Sequence, residues 1–521
     1  MHKLALILTA FIWFTTSFAS ATGSQPPPTL AGAPSFSWAK TWGGSGDDYA
    51  HTSVVDGAGN LYVAGEFSGT VDFDPGSGVR AFTSNGGIDV FLSKFDPNGT
   101  FLWARTWGGS GRDVPTSLGV DGLGHVYITG PFQTTVDFNP DPALTETHSS
   151  NAGSMNNIFL SQFDANGTFL WTRTWGPADG GAESYSLAVD ATNRVYVQGD
   201  FSGTTTNFNP WDAQHPDVHT NHLPFAGAAY DAFLSKFDAS GTFMWAKTWG
   251  GEGYDDGTSV AVDSAGNLYV AGMYASKTLN FDPAGGSAGL NHPAHDSGAL
   301  VDVFLSKFDA NGNFQWVRTW GGQGTEDAAE TVFVDRANNV YVAGRFASAS
   351  CDFNPAGPAD LHSSNGNFDA FVSKFDPNGT FMWAKTWGGT GWDAAGSLAV
   401  DTANTLYVTG VFSGTADFDA GSGSDSHTAV GDQDSFLSVY TPDGSFQWAK
   451  TWGGSGTDRG FRVTITGANA VYVVGGFQQT ADLDPGSGLD NHTSSGARDV
   501  FFSKFLSLSL PPAAYLPLVI R

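Results

Sequence analysis

The tripeptide Thr-Trp-Gly occurs seven times along the chain, and this recurrence restricts the possible folds more than any other feature. A second tryptophan lies four residues before each copy, and successive copies are 65 to 74 residues apart. The pairs are Trp38 and Trp42, Trp103 and Trp107, Trp171 and Trp175, Trp245 and Trp249, Trp316 and Trp320, Trp383 and Trp387, and Trp448 and Trp452. Such self-similarity indicates one recurring supersecondary unit. The 521 residues therefore predict one repeat domain, although the length alone would suggest about three domains.

Each unit predicts four short strands, which we term A to D. Typical examples are Ser-Val-Ala-Val-Asp at 259–263 for strand A, Leu-Tyr-Val-Ala-Gly at 268–272 for B, Asp-Val-Phe-Leu-Ser-Lys-Phe at 302–308 for C, and Phe-Leu-Trp-Ala-Arg-Thr-Trp at 101–107 for D. Aromatic and β-branched runs separated by Gly, Asn, Asp and Pro are typical of strands and turns. Four strands repeated seven times predict an all-β protein, a seven-bladed β-propeller of four-stranded blades.

The phase of the repeat predicts how the ring closes. Strand D occurs once before the first A strand, at 36–42, and the last unit stops after strand C, at 501–505. The N-terminal strand is therefore expected to complete the last blade, which would remove the open edge of the ring.

The predicted D strands also suggest how blades stack. One face carries Phe, Trp, a basic residue and Trp, as in Phe381, Trp383, Lys385 and Trp387, while the other face carries smaller groups. The basic residue is placed for a cation–π contact. Seven such residues on D strands and five lysines on C strands make up 12 of the 23 basic residues, so the loops are expected to be more acidic than the net charge suggests.

Charge and cysteine content exclude several classes of function. The formal net charge of −28 argues against nucleic acid as a partner, since phosphate binding needs clustered Lys and Arg, and favours cations instead. The single cysteine, Cys351, excludes an intramolecular disulfide.

The two ends of the chain predict export. Residues 1–21 resemble a signal peptide with an apolar run and a small-residue cleavage site, and a Pro-rich linker follows at 22–34. We assign the propeller to 35–505 and a C-terminal tail to 506–521, which is too short and Pro-broken to span a membrane. We therefore expect a secreted or cell-surface protein, monomeric, with no transmembrane segment after signal cleavage.

The repeated residues resemble the bacterial seven-bladed β-propeller repeat family, known as SBBP repeats. The matching pattern is Val-Asp-x-x-Gly-Asn-x-Tyr-Val-x-Gly, then Asp-x-Phe-x-x-Lys-Phe-Asp-x-x-Gly, then Trp and Gly-Gly, across 36–505. This resemblance implies export and a propeller fold, but no particular reaction. The segment 95–103 also resembles the tryptophan-docking motif of quinoprotein dehydrogenases, which usually have eight such units rather than seven.

A carboxylate follows the Thr-Trp tryptophan by six residues in six units: Asp48, Asp113, Asp255, Glu326, Asp393 and Asp458; Gly181 breaks the series. An acidic ring that gathers metal cations is one interpretation. The favoured one is that each carboxylate caps its own turn by accepting backbone N–H bonds. The loop at 72–78 resembles half of a calcium site, but position 83 is Thr, so structural turns are favoured and no cofactor is predicted beyond an open possibility of calcium.

Histidines recur in the loops between strands B and C, at His148, His219, His292, His362, His427 and His492, which indicates a role in loop packing. The third B–C loop adds Trp211, His215 and His222, our candidate ligand-binding residues. Trp211 lies outside the tryptophan pattern, so it either covers an apolar patch or offers a stacking surface for a sugar. The histidines could bind zinc or copper.

Two functions remain open. Because no catalytic motif is recognisable, we favour a non-catalytic binding scaffold for a protein or polysaccharide partner. The alternative is a glycan-active hydrolase or lyase with its site at the channel mouth. Its best candidates are Glu66, Asp200 and Arg345, which follow the strand-B glycine where other units have Pro131, Met273, Val411 and Gly476. Because the residue types at this position differ so much between units, sequence drift is favoured over a catalytic role.

Overall fold

The chain forms seven four-stranded antiparallel sheets arranged as the blades of a closed ring. The computed structural model describes residues 34–151, 156–222, 230–277, 279–285, 301–322, 326–354, 356–466 and 470–506. The predicted signal peptide, most of the linker and all of the C-terminal tail except Leu506 lie outside these residues. Every regular element in the described ranges is a strand, and none of these ranges contains a helix long and apolar enough to cross a bilayer.

The strands follow the predicted A, B, C, D order in each blade. Blades 1, 2, 3, 5, 6 and 7 also carry a short two-stranded ribbon between strands B and C, which is formed by the third and fourth strands named for each of them below. The first strand of the chain is β1 (Ser35–Trp42). Blade 1 contains β2 (Tyr49–Val55), β3 (Leu61–Phe67), β4 (Thr70–Asp72), β5 (Ala81–Thr83), β6 (Asp89–Phe95) and β7 (Phe101–Trp107). Blade 2 contains β8 (Ser117–Val120), β9 (Val126–Phe132), β10 (Thr135–Asp137), β11 (Thr147–Ser149), β12 (Asn157–Phe163) and β13 (Phe169–Trp175).

Blade 3 contains β14 (Ala182–Val189), β15 (Val195–Phe201), β16 (Thr205–Asn207), β17 (Val218–Thr220), β18 (Asp231–Phe237) and β19 (Phe243–Trp249). Blade 4 contains β20 (Asp255–Val262), β21 (Leu268–Tyr274), β22 (Asp302–Phe308) and β23 (Phe314–Trp320). Blade 5 contains β24 (Asp327–Val334), β25 (Val340–Phe346), β26 (Cys351–Asp352), β27 (Leu361–His362), β28 (Asp369–Phe375) and β29 (Phe381–Gly389).

Blade 6 contains β30 (Ala394–Val400), β31 (Leu406–Phe412), β32 (Thr415–Asp417), β33 (Ser426–Thr428), β34 (Asp434–Tyr440) and β35 (Phe446–Gly454). Blade 7 contains β36 (Arg459–Ile465), β37 (Ala470–Phe477), β38 (Thr480–Asp482), β39 (Asn491–Thr493) and β40 (Asp499–Leu506). Its fourth strand is β1, which pairs antiparallel with β40 and places Trp42 opposite Val500. The predicted seven-bladed fold and its closure by the N-terminal strand are therefore confirmed.

The A strands form the inner wall of the ring, and each contacts the A strands of both neighbouring blades. Because strands alternate in direction, the D–A and B–C connections lie on one face of the ring, which we call the loop face. The A–B and C–D turns lie on the opposite face.

Tryptophan joins each blade to the next. The second tryptophan of strand D is buried and packs against two aromatic rings on strand C of the following blade. Trp249, for example, lies 5.3 Å from Phe308 and 6.5 Å from Phe304 between ring centroids. Aromatic pairs at these separations stabilise a core beyond the area that they bury.

Basic residues bind the next blade on the turn face. Lys94 donates from Nζ to the carbonyl oxygen of Ala165 at 2.9 Å, and Arg105 donates from Nε to that of Gly167 at 2.8 Å. The predicted cation–π contact also forms, because the Arg105 guanidinium lies 5.2 Å from the ring of Trp103. The same backbone bonds are made by Lys236, Lys307, Lys374, Lys504, Arg173 and Arg318.

Candidate binding site at the channel mouth

A bulge interrupts strand A near the loop face in six of the seven blades. In blade 3, the register against strand B shifts between Ser184 and Ser186, so that Tyr185 has no partner residue on β15. The residues skipped in this way are His51, Tyr185, Thr258, Glu330, Gly396 and Phe461. A bulge redirects a side chain, and bulges are common beside functional sites.

Four of these six residues line a cavity of about 430 Å³ at the mouth of the central channel. His51, Tyr185, Thr258 and Glu330 all line it, together with Thr116, which occupies the corresponding place just before β8. The cavity is therefore built by five different blades, and its lining changes from blade to blade.

Two buried aspartates lie at this cavity: Asp256 lines it, and Asp200 lies beside Asp256. Asp200 at the end of β15 is 1% exposed, and Asp256 on β20 is 3% exposed. The Tyr185 hydroxyl donates to Oδ2 of Asp200 at 3.2 Å, and the Tyr254 hydroxyl donates to Oδ2 of Asp256 at 3.4 Å. The Oδ1 atom of each aspartate is buried without a hydrogen-bond partner in the described part of the chain.

Burial dominates the ionisation of this pair. It raises the pKa of both carboxyl groups well above the ordinary value, and charge on Glu183 raises the pKa of Asp200 further. Asp200 in turn raises the pKa of Asp256. The pKa of Tyr185 is also raised, first by burial and then by the neighbouring carboxylates, so its hydroxyl stays a donor. Perturbed groups of this kind are enriched at functional sites.

A chain of hydrogen bonds continues along the mouth through blades 1 to 3. Arg112 donates to Glu66 at 3.0 Å, and its backbone N–H donates to the Gln133 side chain at 3.3 Å. Gln133 donates to Asn156 at 2.8 Å, and Asn156 donates to Glu183 at 2.6 Å. Burial opposes ionisation of Glu66, but His51 and Arg112 outweigh it and lower its pKa.

Arg345 forms a separate cluster in blade 5. Its guanidinium pairs with Glu330 and, at 2.5 Å, with Glu326. The same group lies over the rings of Phe368 and Trp392, 5.5 and 5.4 Å from their centroids. Both terminal nitrogens of the Arg345 guanidinium are therefore already paired with glutamates.

Thus Glu66, Asp200 and Arg345, which sequence reasoning attributed to drift, each anchor a polar cluster at one mouth of the channel. The bulged residues beside them were missed. The available signal was variability. This position lies five residues before the residue that follows strand A, which is Asp in six units and Thr466 in the seventh, and it holds His, Thr, Tyr, Thr, Glu, Gly and Phe in the seven otherwise regular units.

Comparison with known proteins agrees with this architecture. Residues 245–273 match the sequence model of the SBBP beta-propeller repeat. That segment runs from strand D of blade 3 to strand B of blade 4, and its key residues recur in the other units. At this segment the chain carries an SBBP repeat.

Curated relatives of this SBBP-repeat propeller are distant. It is 22% identical over 505 residues to the uncharacterized WD repeat-containing protein L264 of Acanthamoeba polyphaga mimivirus, covering 85% of this chain and 36% of that protein. It is 26% identical over 257 residues to the regulatory protein FlaEY of Caulobacter vibrioides, covering 46% of this chain and 24% of that protein. The chain thus spans only about a third and a quarter of their lengths. A solved structure of unknown function from Dyadobacter fermentans aligns over 91% of this chain and 98% of its own, at 10% identity and a TM-score of 0.36.

The predicted acidic ring consists of turn caps in the SBBP-repeat propeller. Asp393 accepts the Gly389 N–H at 2.7 Å on one oxygen and the Ser413 N–H at 3.2 Å on the other. Asp48, Asp113, Asp255 and Asp458 are buried and accept corresponding pairs of backbone N–H groups. These hydrogen bonds match the capping interpretation, and they engage the carboxylate oxygens that would coordinate a metal ion.

Glu326 is the exception, and the reason is an extra residue in its loop. In blade 5 the cap is Asp327, which accepts the Gly322 N–H at 2.9 Å and the Ala347 N–H at 3.0 Å, while Glu326 pairs with Arg345. Counting back from the end of strand A places Ala182, not Gly181, at this position in blade 3. The predicted position of Glu326 in the ring is therefore wrong.

Of the candidate residues of the third B–C loop, Trp211 lies on the outer rim against strand D, whereas His222 lies beside the start of strand C. Trp211 is 36% exposed and packs edge-on against Trp175 and Phe237, with both centroid distances at 6.2 Å. His215 is largely exposed and bonded to Asp212, whereas His222 is bonded to Asp231 at 2.6 Å, which raises the pKa of His222. Within the described ranges, no three His, Cys, Asp or Glu side chains are grouped to hold a metal ion.

The recurring histidines pack the ribbons onto strand D. His362, for example, shares a hydrogen bond of 2.9 Å with the Thr386 hydroxyl and lies edge-on to Phe353. His148, His219, His427 and His492 make the same bond to the corresponding threonine, and His292 lies outside the described residues. Asp72 and Asp74 of the calcium-like loop accept backbone N–H groups of that loop, as structural turns do.

Proposed function

We propose that this protein is an exported, non-catalytic binding propeller that holds a protein or polysaccharide partner at the channel mouth of its loop face. One observation carries the proposal. The bulged position of strand A points variable side chains into a shared cavity, while the framework around it repeats in every blade. Binding residues concentrate where a rigid scaffold presents variable groups.

Export rests on the N-terminal 21 residues, which have the composition of a cleavable signal. Expression of the full chain in a bacterial host, followed by N-terminal sequencing of the protein outside the cytoplasm, tests it. We expect a mature N-terminus after residue 19 or 21. Full-length protein retained in the cytoplasm would contradict export.

Binding is tested by screening the purified mature protein on a glycan array, a random peptide library and a panel of divalent cations. The comparison is a double variant, Tyr185→Ala with Phe461→Ala, which removes two rings from the bulged position of strand A and leaves the tryptophan contacts between blades in place. Leu123→Ala is the control, because this residue is 72% exposed on an A–B turn of the opposite face. Loss of a ligand in the double variant alone supports the site, and ligands indifferent to both changes refute it.

A glycan-active hydrolase or lyase is the second candidate, favoured by the raised pKa values of Asp200 and Asp256. A carboxyl group that keeps its proton near neutral pH can act as a general acid. Its test is release of reducing or unsaturated ends from acidic and neutral polysaccharides. Activity that Asp200→Asn abolishes would replace the binding proposal, and intact polysaccharide with all substrates would leave binding in place.

A further inference from the structure

The aspartate pair at the channel mouth lacks a basic partner. Asp200 and Asp256 each keep one buried oxygen that no described group satisfies. Buried carboxyl oxygens in such surroundings are costly unless a proton or a cation accompanies them. Either a proton or a cation therefore has to accompany these two carboxyl groups.

The basic side chains around the cavity are already engaged elsewhere. Arg345 bonds Glu326 and Glu330, and His51 and Arg112 both pair with Glu66. On the side of the aspartates, the neighbouring ionisable groups are acids or phenols, namely Glu183, Tyr185, Tyr230, Tyr254 and Asp255. A cation that replaces the proton on this pair must then come from outside the described residues.

The chemistry of the site favours an organic cation over a metal ion. Calcium needs six or more oxygen ligands, whereas the aspartates offer two free oxygens and no described group of three acids can hold a metal. An ammonium or guanidinium group needs few acceptors and gains from aromatic faces nearby. Tyr185 and Tyr254 line the cavity beside the pair.

Burial also restricts how the cation is carried. With the aspartates only 1% and 3% exposed, the charged group must arrive on a slim arm. A lysine or arginine side chain places its charge at the end of several methylene groups. The amine of an amino sugar is attached directly to a bulky ring, which keeps it from such recessed oxygens.

We propose that Asp200 and Asp256 bind a basic side chain, lysine or arginine, of a polypeptide partner that inserts into the channel mouth. This inference rests on the proposed binding function and names its ligand class. Tyr185 and Tyr254 hold one oxygen of each aspartate, which leaves the other oxygen directed to the incoming cation.

Binding should release protons. Burial raises the pKa of both aspartates, so the bound cation is expected to replace a proton and the affinity to rise with pH. His51, Glu330 and Arg345 face the same cavity and are paired within their own clusters. The binding constant can rise by up to tenfold per pH unit for each proton that binding releases.

The test is calorimetric titration of the mature protein with the peptide acetyl-Gly-Gly-Lys-Gly-Gly-amide, its arginine counterpart, and a norleucine peptide of equal shape without the charge. We expect a basic peptide to bind at least tenfold more tightly than the norleucine peptide. Asp200→Asn and Asp256→Asn should each weaken it at least tenfold, with folding checked by thermal melting. Glu252→Gln, which alters an exposed carboxylate of the blade 3 to blade 4 loop, should leave binding unchanged.

Calcium chloride and glucosamine are the competing probes. Tighter binding of either one, equal binding of the norleucine peptide, or no binding of basic peptides up to 10 mM would each overturn the inference. A glycan that binds the wild type and is lost in the Tyr185→Ala, Phe461→Ala variant would still leave the proposed binding function standing. If no ligand binds differently to any variant of the channel-mouth residues, both this inference and the proposed binding function are refuted.

Discussion

Trp42 on the N-terminal strand packs against Phe95 of the first blade, with ring centroids 5.3 Å apart. The same kind of contact joins each of the remaining pairs of neighbouring blades, although Trp42 belongs to the last blade. The junction between the chain ends thus has the same core as the six covalently continuous junctions.

Deleting residues 35–43 should lower thermal stability sharply, because β40 loses its partner strand and the last junction loses Trp42. Trp42→Ala alone should cost about 3–5 kcal/mol, the usual effect of removing a buried tryptophan. Both are measured by denaturant unfolding against a chain that begins at residue 34. A truncated chain that unfolds like this reference would refute closure by the N-terminal strand.

Stability should be greatest in mildly acidic solution. Burial raises the pKa of Asp48, Asp113, Asp255 and Asp458 to about 6 and that of Asp393 to about 7. The folded state therefore holds protons that the unfolded state, with pKa values near 3.9, releases first, so stability falls as pH rises from about 4 to 7. Turn residues with lowered pKa values, such as Asp96 and Asp376, lose their contribution below about pH 4.

Melting temperatures from pH 3 to 9 measure this optimum. Asp393→Asn should lower stability at pH 5 by about 1–2 kcal/mol, since an amide cannot accept both backbone bonds, and should reduce the decline towards pH 8. A melting temperature that climbs steadily from pH 5 to 8 in the wild type would contradict the assignment.

Trp211→Ala should reduce stability and leave binding at the channel mouth unchanged. The indole is partly exposed, yet it contacts Trp175, Phe237 and the Arg173 guanidinium on the outer rim. We expect a loss of about 1–2 kcal/mol in denaturant unfolding. His215→Ala and His222→Ala, made separately, are the comparisons. Lost ligand binding on an unchanged melting curve would instead place a site on this rim.

The strand-B glycine should not tolerate a side chain. A Cβ on Gly410 would collide with the carbonyl oxygen of Ala394, and the equivalent glycine in each of the other six units meets the corresponding carbonyl oxygen in the same way. Gly410→Ala should therefore destabilise the fold by roughly 2 kcal/mol or more. Gly122→Ala is the control, since a Cβ there meets no atom within 4 Å. Equal unfolding midpoints for the two variants would show that the bulge can relax.

The tryptophan spacing was enough to predict blade number, strand order and closure, because each of these depends on local patterns that repeat. The site depends on one unpaired residue in strand A, which has no compositional signature of its own. Glu326 shows the same limit of sequence reasoning. The cap was sought six residues after Trp320, but the loop of this blade has one extra residue, so the cap is Asp327. Counting from the strand would have found the cap.

The eight lysine and arginine side chains that bond the carbonyl groups of the following blade have a consequence beyond adhesion. Their positive charge is held at the blade junctions, so the solvent-facing loops of a chain with net charge −28 are left dominated by acids. These acidic loops would attract a partner with a basic segment from a distance, and they would orient that partner before it makes contact. Salt should accordingly slow the arrival of such a partner far more than it hastens its departure.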